Sequence, residues 1–117
     1  MKSRLDLYNR ALELVGARAT GQPASAEDND IADRALIPLL AELNAIEAAY
    51  IYVSNDPAAQ DITEEVFLPL SDLLANEISP AFGLQRVDAG VRAEMIKRLR
   101  RVVASKPTYR PLRVQYF

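Results

Sequence analysis

The chain has 117 residues, half of them hydrophobic and a quarter charged, with a net charge of −2 and no Cys, His or Trp. That length fits one domain with a sizeable core, and the apolar fraction is too high for a disordered chain. Without His or Cys there is no Ser-His-Asp triad, thiolate nucleophile, disulfide framework or ordinary zinc site, so only carboxylate, hydroxyl or Lys chemistry is left to an enzyme.

The charge is distributed unevenly. Residues 1–85 hold 5 Lys/Arg against 14 Asp/Glu, and residues 86–117 hold 9 against 2. An acidic body with a basic end suggests a charged partner or contact between copies. The same pattern arises when a basic helix packs across acidic helices of its own chain, and both readings can hold together. The longest apolar runs, such as Ala48 to Val53, fall well short of the roughly 20 residues that span a bilayer. The start, Met1-Lys2-Ser3-Arg4-Leu5-Asp6, carries no signal-peptide core, so synthesis in the cytoplasm is expected.

In chain order, Ser3 and Asp6 have the spacing of a capping box for a first helix. Its stripe is Leu5, Tyr8, Leu12 and Val15, widened by Leu7, Ala11 and Leu14, and Gly16 is placed to close it in a left-handed turn. Residues 17–24 read as a loop. A second helix begins near Ser25 or Asp28, with Glu27, Asp28 and Asp30 at the positive end of its dipole. Ile31, Ala35, Leu39, Leu43, Ile46 and Tyr50 form its predicted face, and Leu36, Leu40 and Ala49 broaden it. Pro38 predicts a kink or a division into two helices, and Tyr50 to Val53, β-branched and aromatic, suits an extended piece.

After the turn signal Ser54-Asn55-Asp56-Pro57, a third helix starts at Asp61 or Thr63. Val66, Leu70, Leu73, Leu74 and Ile78 make its face, with Phe67 and Leu68 beside them, and Pro80 and Gly83 end it. Asp88 caps a fourth helix with a predicted buried stripe of Val91, Met95, Ile96, Leu99, Val102 and Val103; Arg92, Lys97, Arg98, Arg100 and Arg101 occupy the rest. Beyond Lys106-Pro107 a second proline, Pro111, and an alternating polar–apolar pattern read as an extended arm of up to about 40 Å at about 3.3 Å per residue. The expectation is an all-α protein: a small four-helix domain over residues 1–104 and an extended C-terminal arm over 105–117.

Little in this pattern supports catalysis. The acidic groups Asp28/Asp30/Asp33 and Glu64/Glu65 sit in or beside first helical turns, where carboxylates are ordinary, so no metal or cofactor is expected. Glu13 and Glu77 lack the Glu-x-x-His spacing of di-iron bundles, and the four glycines form no phosphate loop. The basic helix, with Lys106 and Arg110 beyond it, could neutralise several DNA phosphates, although the acidic body opposes approach and the link from Pro80 to Asp88 is long for a helix-turn-helix. The arm concentrates residue types that anchor interfaces: Tyr109, Arg110, Leu112, Arg113, Val114, Tyr116 and Phe117; it cannot bury them by itself, and either folds back on its own helices or docks on a partner by strand addition or groove binding.

The opening helix, Asp6-Leu7-Tyr8-Asn9-Arg10-Ala11-Leu12-Glu13-Leu14-Val15-Gly16, is similar to the start of phage head-to-tail adaptor proteins. The segments Tyr50-Ile51-Tyr52-Val53-Ser54-Asn55-Asp56-Pro57, Phe67-Leu68-Pro69-Leu70-Ser71-Asp72-Leu73-Leu74-Ala75 and Ile78-Ser79-Pro80-Ala81-Phe82-Gly83 resemble the middle of the short-tailed-phage tail accessory factors, or packaged-DNA stabilisation proteins. These pieces span most of residues 5–83. The resemblance implies a virion structural protein at the head–tail junction, with no enzymatic activity. It would bind the portal protein, form a ring of twelve copies, extend the DNA channel and receive downstream tail proteins. Packaged DNA would pass without sequence-specific binding, and no membrane is involved. By position and character, residues 104–117 correspond to the extension that members of the family insert towards the portal, while Arg92, Lys97, Arg98, Arg100 and Arg101 would contact a neighbouring subunit or the portal. Adaptors of long-tailed phages are also small helical ring-formers, and a DNA-binding regulator using the fourth helix is the alternative.

Overall fold

A computed structural model of the chain describes residues 1–17 and 25–105. Four helices follow one another: α1 (Arg4–Leu14), α2 (Ala26–Ala45), α3 (Glu64–Ile78) and α4 (Ala89–Ser105), with a 3-10 turn, Ser79–Phe82, extending α3. The described residues are 68% helical and contain no strand, so the protein is all-α with four helices. Of the predicted arm, residues 105–117, Ser105 instead belongs to α4 and residues 106–117 lie outside the described residues, as does most of the predicted 17–24 loop.

Local chemistry sets the helix ends. At α1 the Ser3 hydroxyl accepts from the Asp6 N–H at 3.2 Å and the Ser3 N–H donates to the Asp6 carboxylate at 3.0 Å, the reciprocal box that the sequence predicts. Gly16, at φ 76°, turns the chain out after α1. Ser25 caps α2, accepting from the Asp28 N–H at 3.1 Å. Thr63 stands at the N-cap of α3 without a side-chain bond, and Gly83, at φ 77°, closes the 3-10 turn.

Two sequence expectations are corrected in α2. The helix is not divided at Pro38, which lies on its exposed side. There, water can satisfy the carbonyl one turn back that loses its donor. The buried face is also displaced from the predicted one. Ala32, Leu36, Leu39, Leu40 and Leu43 are buried, whereas Ile46 caps an already finished helix and Tyr50 is 79% exposed beyond it. Glu47 adopts a left-handed backbone, φ 57°, and diverts the chain, leaving Tyr50 to Val53 outside any helix.

Helix α3 is the hub, packing against α1, α2 and α4, while α1 and α2 also touch. Its predicted face, Val66, Leu70, Leu73, Leu74 and Ile78, is buried throughout. The buried hydroxyls of Ser71 and Ser79 return their protons to the backbone carbonyls of Leu68 and Ala75, at 2.8 and 2.7 Å, so neither leaves an unmet donor in the core. A two-way backbone bridge between Lys2 and Ile62, at 2.8 and 3.0 Å, fixes the start of the chain beside the start of α3.

Candidate assembly surface

Helix α4 carries one of the two predicted functional patches. It is positioned by side chains of the preceding loop and of α3. Asp88 accepts from the Val91 N–H at 2.8 Å as its cap, and Asn76 of α3 accepts from the Val87 N–H at 2.8 Å, setting the angle of approach. The predicted six-residue stripe is narrower in the structure. Leu99 is fully buried, Met95, Ile96 and Val102 are half-buried, and Val91 and Val103 are exposed. The reason is the layout: α4 rests against α3, so a single line of side chains finds apolar cover.

Three of the five predicted basic residues are committed within the chain. Arg92 grips Glu42 of α2 with both terminal nitrogens, at 2.9 and 2.7 Å, and reaches Glu77 of α3 at 3.1 Å. Arg98 pairs with Asp72 at 2.8 Å, and Arg100 donates to the Ile46 carbonyl at 2.7 Å, covering the end of α2. Lys97 stands 3.9 Å from Glu94 with both side chains well exposed, and Arg101 is exposed. The intramolecular reading of the charge asymmetry therefore holds for Arg92, Arg98 and Arg100, and any outside partner would compete with these contacts.

The Arg92 guanidinium holds the Glu42 carboxyl below its usual range, chiefly by hydrogen bonding, and is itself held more firmly protonated. A depressed carboxyl favours the folded state above its unfolded value, and that contribution disappears as pH falls through the folded value. Arg92→Ala should cost about 1 kcal/mol at neutral pH, reduced from the charge-assisted ceiling because Glu42 is half in water. The gap between wild type and variant should close in acid. Urea titrations at neutral pH and at about pH 3 check this, and a gap that is unchanged or wider in acid contradicts it.

Beside the C-terminal end of α4 lies a groove of about 320 Å³. Tyr50, Ile51 and Tyr52 form one wall, Val66, Val102 and Val103 lie along it, and Asp61, Thr63 and Glu65 supply its polar rim. The Asp61 carboxylate accepts from the Ser54 N–H at 2.8 Å through one oxygen. Its other oxygen is enclosed and meets no donor among the described residues. Tyr50 and Tyr52 are 79% and 68% exposed. The β-branched and aromatic character of Tyr50 to Val53 is visible in sequence, but the association of this run with Asp61 and the end of α4 is not.

A second cluster, not anticipated from sequence, joins α1 to α2. The Tyr8 hydroxyl donates to Asp33, and the Arg4 guanidinium stands 3.4 Å from the same carboxylate oxygen. Arg4 is buried. Burial first, and the Asp33 bond second, push the Tyr8 phenol well above its usual range. Asp33 is therefore a tertiary partner and not, as its place near the start of α2 suggested, a solvated helix-start charge. Glu64 likewise pairs with the N-terminal amino group at 3.2 Å, whereas Asp30 makes a local pair with Arg34.

The predicted arm residues Tyr109, Arg110, Leu112, Arg113, Val114, Tyr116 and Phe117 lie outside the described residues. Among the described residues no group of three or more acidic side chains is placed to hold a metal ion, and no helix is long and apolar enough to cross a membrane. Comparison of the chain with protein-family models, with curated proteins and with solved structures gave no match.

Proposed function

We propose that this protein is a non-enzymatic virion component, a head-to-tail adaptor that binds the portal, forms a ring beneath it, extends the DNA channel and receives tail proteins. The observation that carries the reading is the exposed aromatic surface beside the end of α4, where the C-terminal arm begins. Two tyrosines and Val103 stand exposed about an apolar groove, and the next residues along the chain are Lys106, Pro107 and an arm rich in Tyr, Arg and aliphatic side chains. Clustered exposed aromatics of this kind favour association with another surface. The order of the adaptor-like segments along residues 5–83 supports the same reading.

Ordering the arm costs roughly 1–2 kcal/mol per residue in backbone freedom, so it binds only where burial of its side chains exceeds that cost. A portal ring that presents repeated grooves supplies such a place, and ring formation then follows on the portal rather than in free solution. The rival reading, a DNA-binding regulator, draws on Lys97, Arg98, Arg100 and Arg101, with Lys106 and Arg110 beyond; of these, Arg98 and Arg100 are already engaged with α3 and the end of α2.

Deleting residues 106–117 tests the proposal. The shortened protein should keep its helical circular dichroism, yet sediment alone when mixed with portal particles that capture the full chain. Normal capture of the shortened protein, or failure of the full chain to join any portal ring of its own phage, refutes the adaptor reading.

A further inference from the structure

We propose that the groove beside the end of α4 is the docking site for the C-terminal segment of the same chain in the free protomer, with Tyr109 as the anchor and Arg110 facing Asp61 and Glu65. Proximity is the first argument. Val102 and Val103 line the groove and α4 ends at Ser105, so Tyr109 lies four residues beyond the last helical residue. Extended chain covers that interval in about 13 Å. A tether this short gives an effective concentration in the millimolar range, which favours the chain's own segment over that of a second copy.

Chemistry is the second argument. The groove is apolar along Ile51, Val66, Val102 and Val103 and acidic at Asp61 and Glu65. The segment 106–117 holds Lys106, Arg110 and Arg113 and no acidic side chain. The enclosed oxygen of Asp61, which meets no donor among the described residues, adds to the negative field at that rim. Size is the third. At about 320 Å³ the groove takes one aromatic side chain and part of a neighbour, not the whole segment. Tyr109 is the first aromatic residue after α4, whereas Tyr116 and Phe117 are too far along to serve as the near anchor. This docking goes beyond the adaptor reading and does not depend on it. If both hold, the segment is stowed until a portal surface outcompetes the groove.

The absence of cysteine makes the test direct. Thr63 lines the groove and its side chain makes no capping bond, so Thr63→Cys together with Thr108→Cys introduces a reporter pair without removing the anchor. Under mild oxidation of the dilute full-length chain, an intramolecular disulfide should form about tenfold faster than in the same pair carrying Tyr109→Ala and Arg110→Ala, and the advantage should shrink with salt. Disulfide-linked dimers would assign the groove to a second copy and overturn the proposal. Equal rates with and without the anchor residues, or no link, would overturn it too. A readout without added cysteine is chymotryptic cleavage after Tyr109, which should be slow in the native chain and quicken severalfold in Glu65→Gln; unchanged cleavage counts against the docking.

Discussion

Replacing Leu99 with alanine should detach α4 while the three-helix body stays folded. Leu99 has no exposed surface and, among the described side chains, is the one of α4 that is fully buried; every other buried apolar residue of the described core lies outside that helix. Truncation of such a leucine costs about 2–5 kcal/mol. The other apolar contacts of α4, through Met95, Ile96 and Val102, are partial. The pairs made by Arg92 and Arg98 are partly exposed and worth about 0–1 kcal/mol each, too little to hold a helix without its apolar anchor. By contrast, α1, α2 and α3 each pack on both of the others and supply most of the rest of the buried core. Hydrogen exchange should therefore show α4 amides opening with a sub-global free energy, while those of Leu70 to Leu74 in α3 keep nearly native protection. Uniform loss of protection along the chain would mean that α4 is integral to the core. On the adaptor proposal, the same substitution should also impair capture by portal particles, because the C-terminal segment leaves from α4.

How far the sequence foretells this layout depends on how many sides of each helix are covered. Helix α3, enclosed by three neighbours, reads correctly at every position of its predicted face. Helix α1 reads well at Leu7, Tyr8, Ala11 and Leu12, but Leu5 and Leu14 are exposed, since periodicity shows an apolar stripe and not its width. In α4 the stripe of six shrinks to Leu99 and three half-buried neighbours because this peripheral helix finds its apolar cover chiefly on α3 and meets α2 through polar side chains. The end of α2 was hidden for a different reason. The apolar pattern runs on through Ile46 to Tyr50, while the chain leaves the helix through a left-handed Glu47, a residue type that gives no turn signal. The candidate surface was legible in part. The basic residues of α4 stand out by type, but their acidic partners Glu42, Asp72 and Glu77 come from other helices, and no local spacing connects them. The groove joins three separate segments, so only its Tyr50 to Val53 wall carries a sequence signal.

The Arg4–Tyr8–Asp33 cluster carries the second large expected effect. Arg4 is buried with its charge facing Asp33, and its Nε is enclosed without a partner among the described residues. Removing one member of a buried pair leaves the other charge uncompensated, which costs about 3–5 kcal/mol when both are fully buried. Asp33 is about half exposed, so water screens part of the interaction and Asp33→Ala should cost nearer ~2–3 kcal/mol. Asp33→Asn, which keeps an acceptor for the Tyr8 hydroxyl, should cost less, and Tyr8→Phe about 1 kcal/mol, the net worth of one hydrogen bond. Thermal or urea unfolding of the three variants checks the order. Equal losses for Ala and Asn would show that a neutral acceptor contributes nothing and that the whole loss lies in the Asp33 charge. The phenol gives an independent readout. Its folded value lies above the ordinary 10.0, so Tyr8 favours folding below that pH, and this contribution is lost as pH rises from there towards the folded value. In an alkaline absorbance titration the wild type should show a late-ionising tyrosine component that is missing from Tyr8→Phe. In Asp33→Ala the lag should shorten but persist, because burial is the larger cause of the shift and the hydrogen bond only the second. If Tyr8 ionised together with the exposed tyrosines, the α1–α2 contact would be open to water and Arg4 would need no partner there.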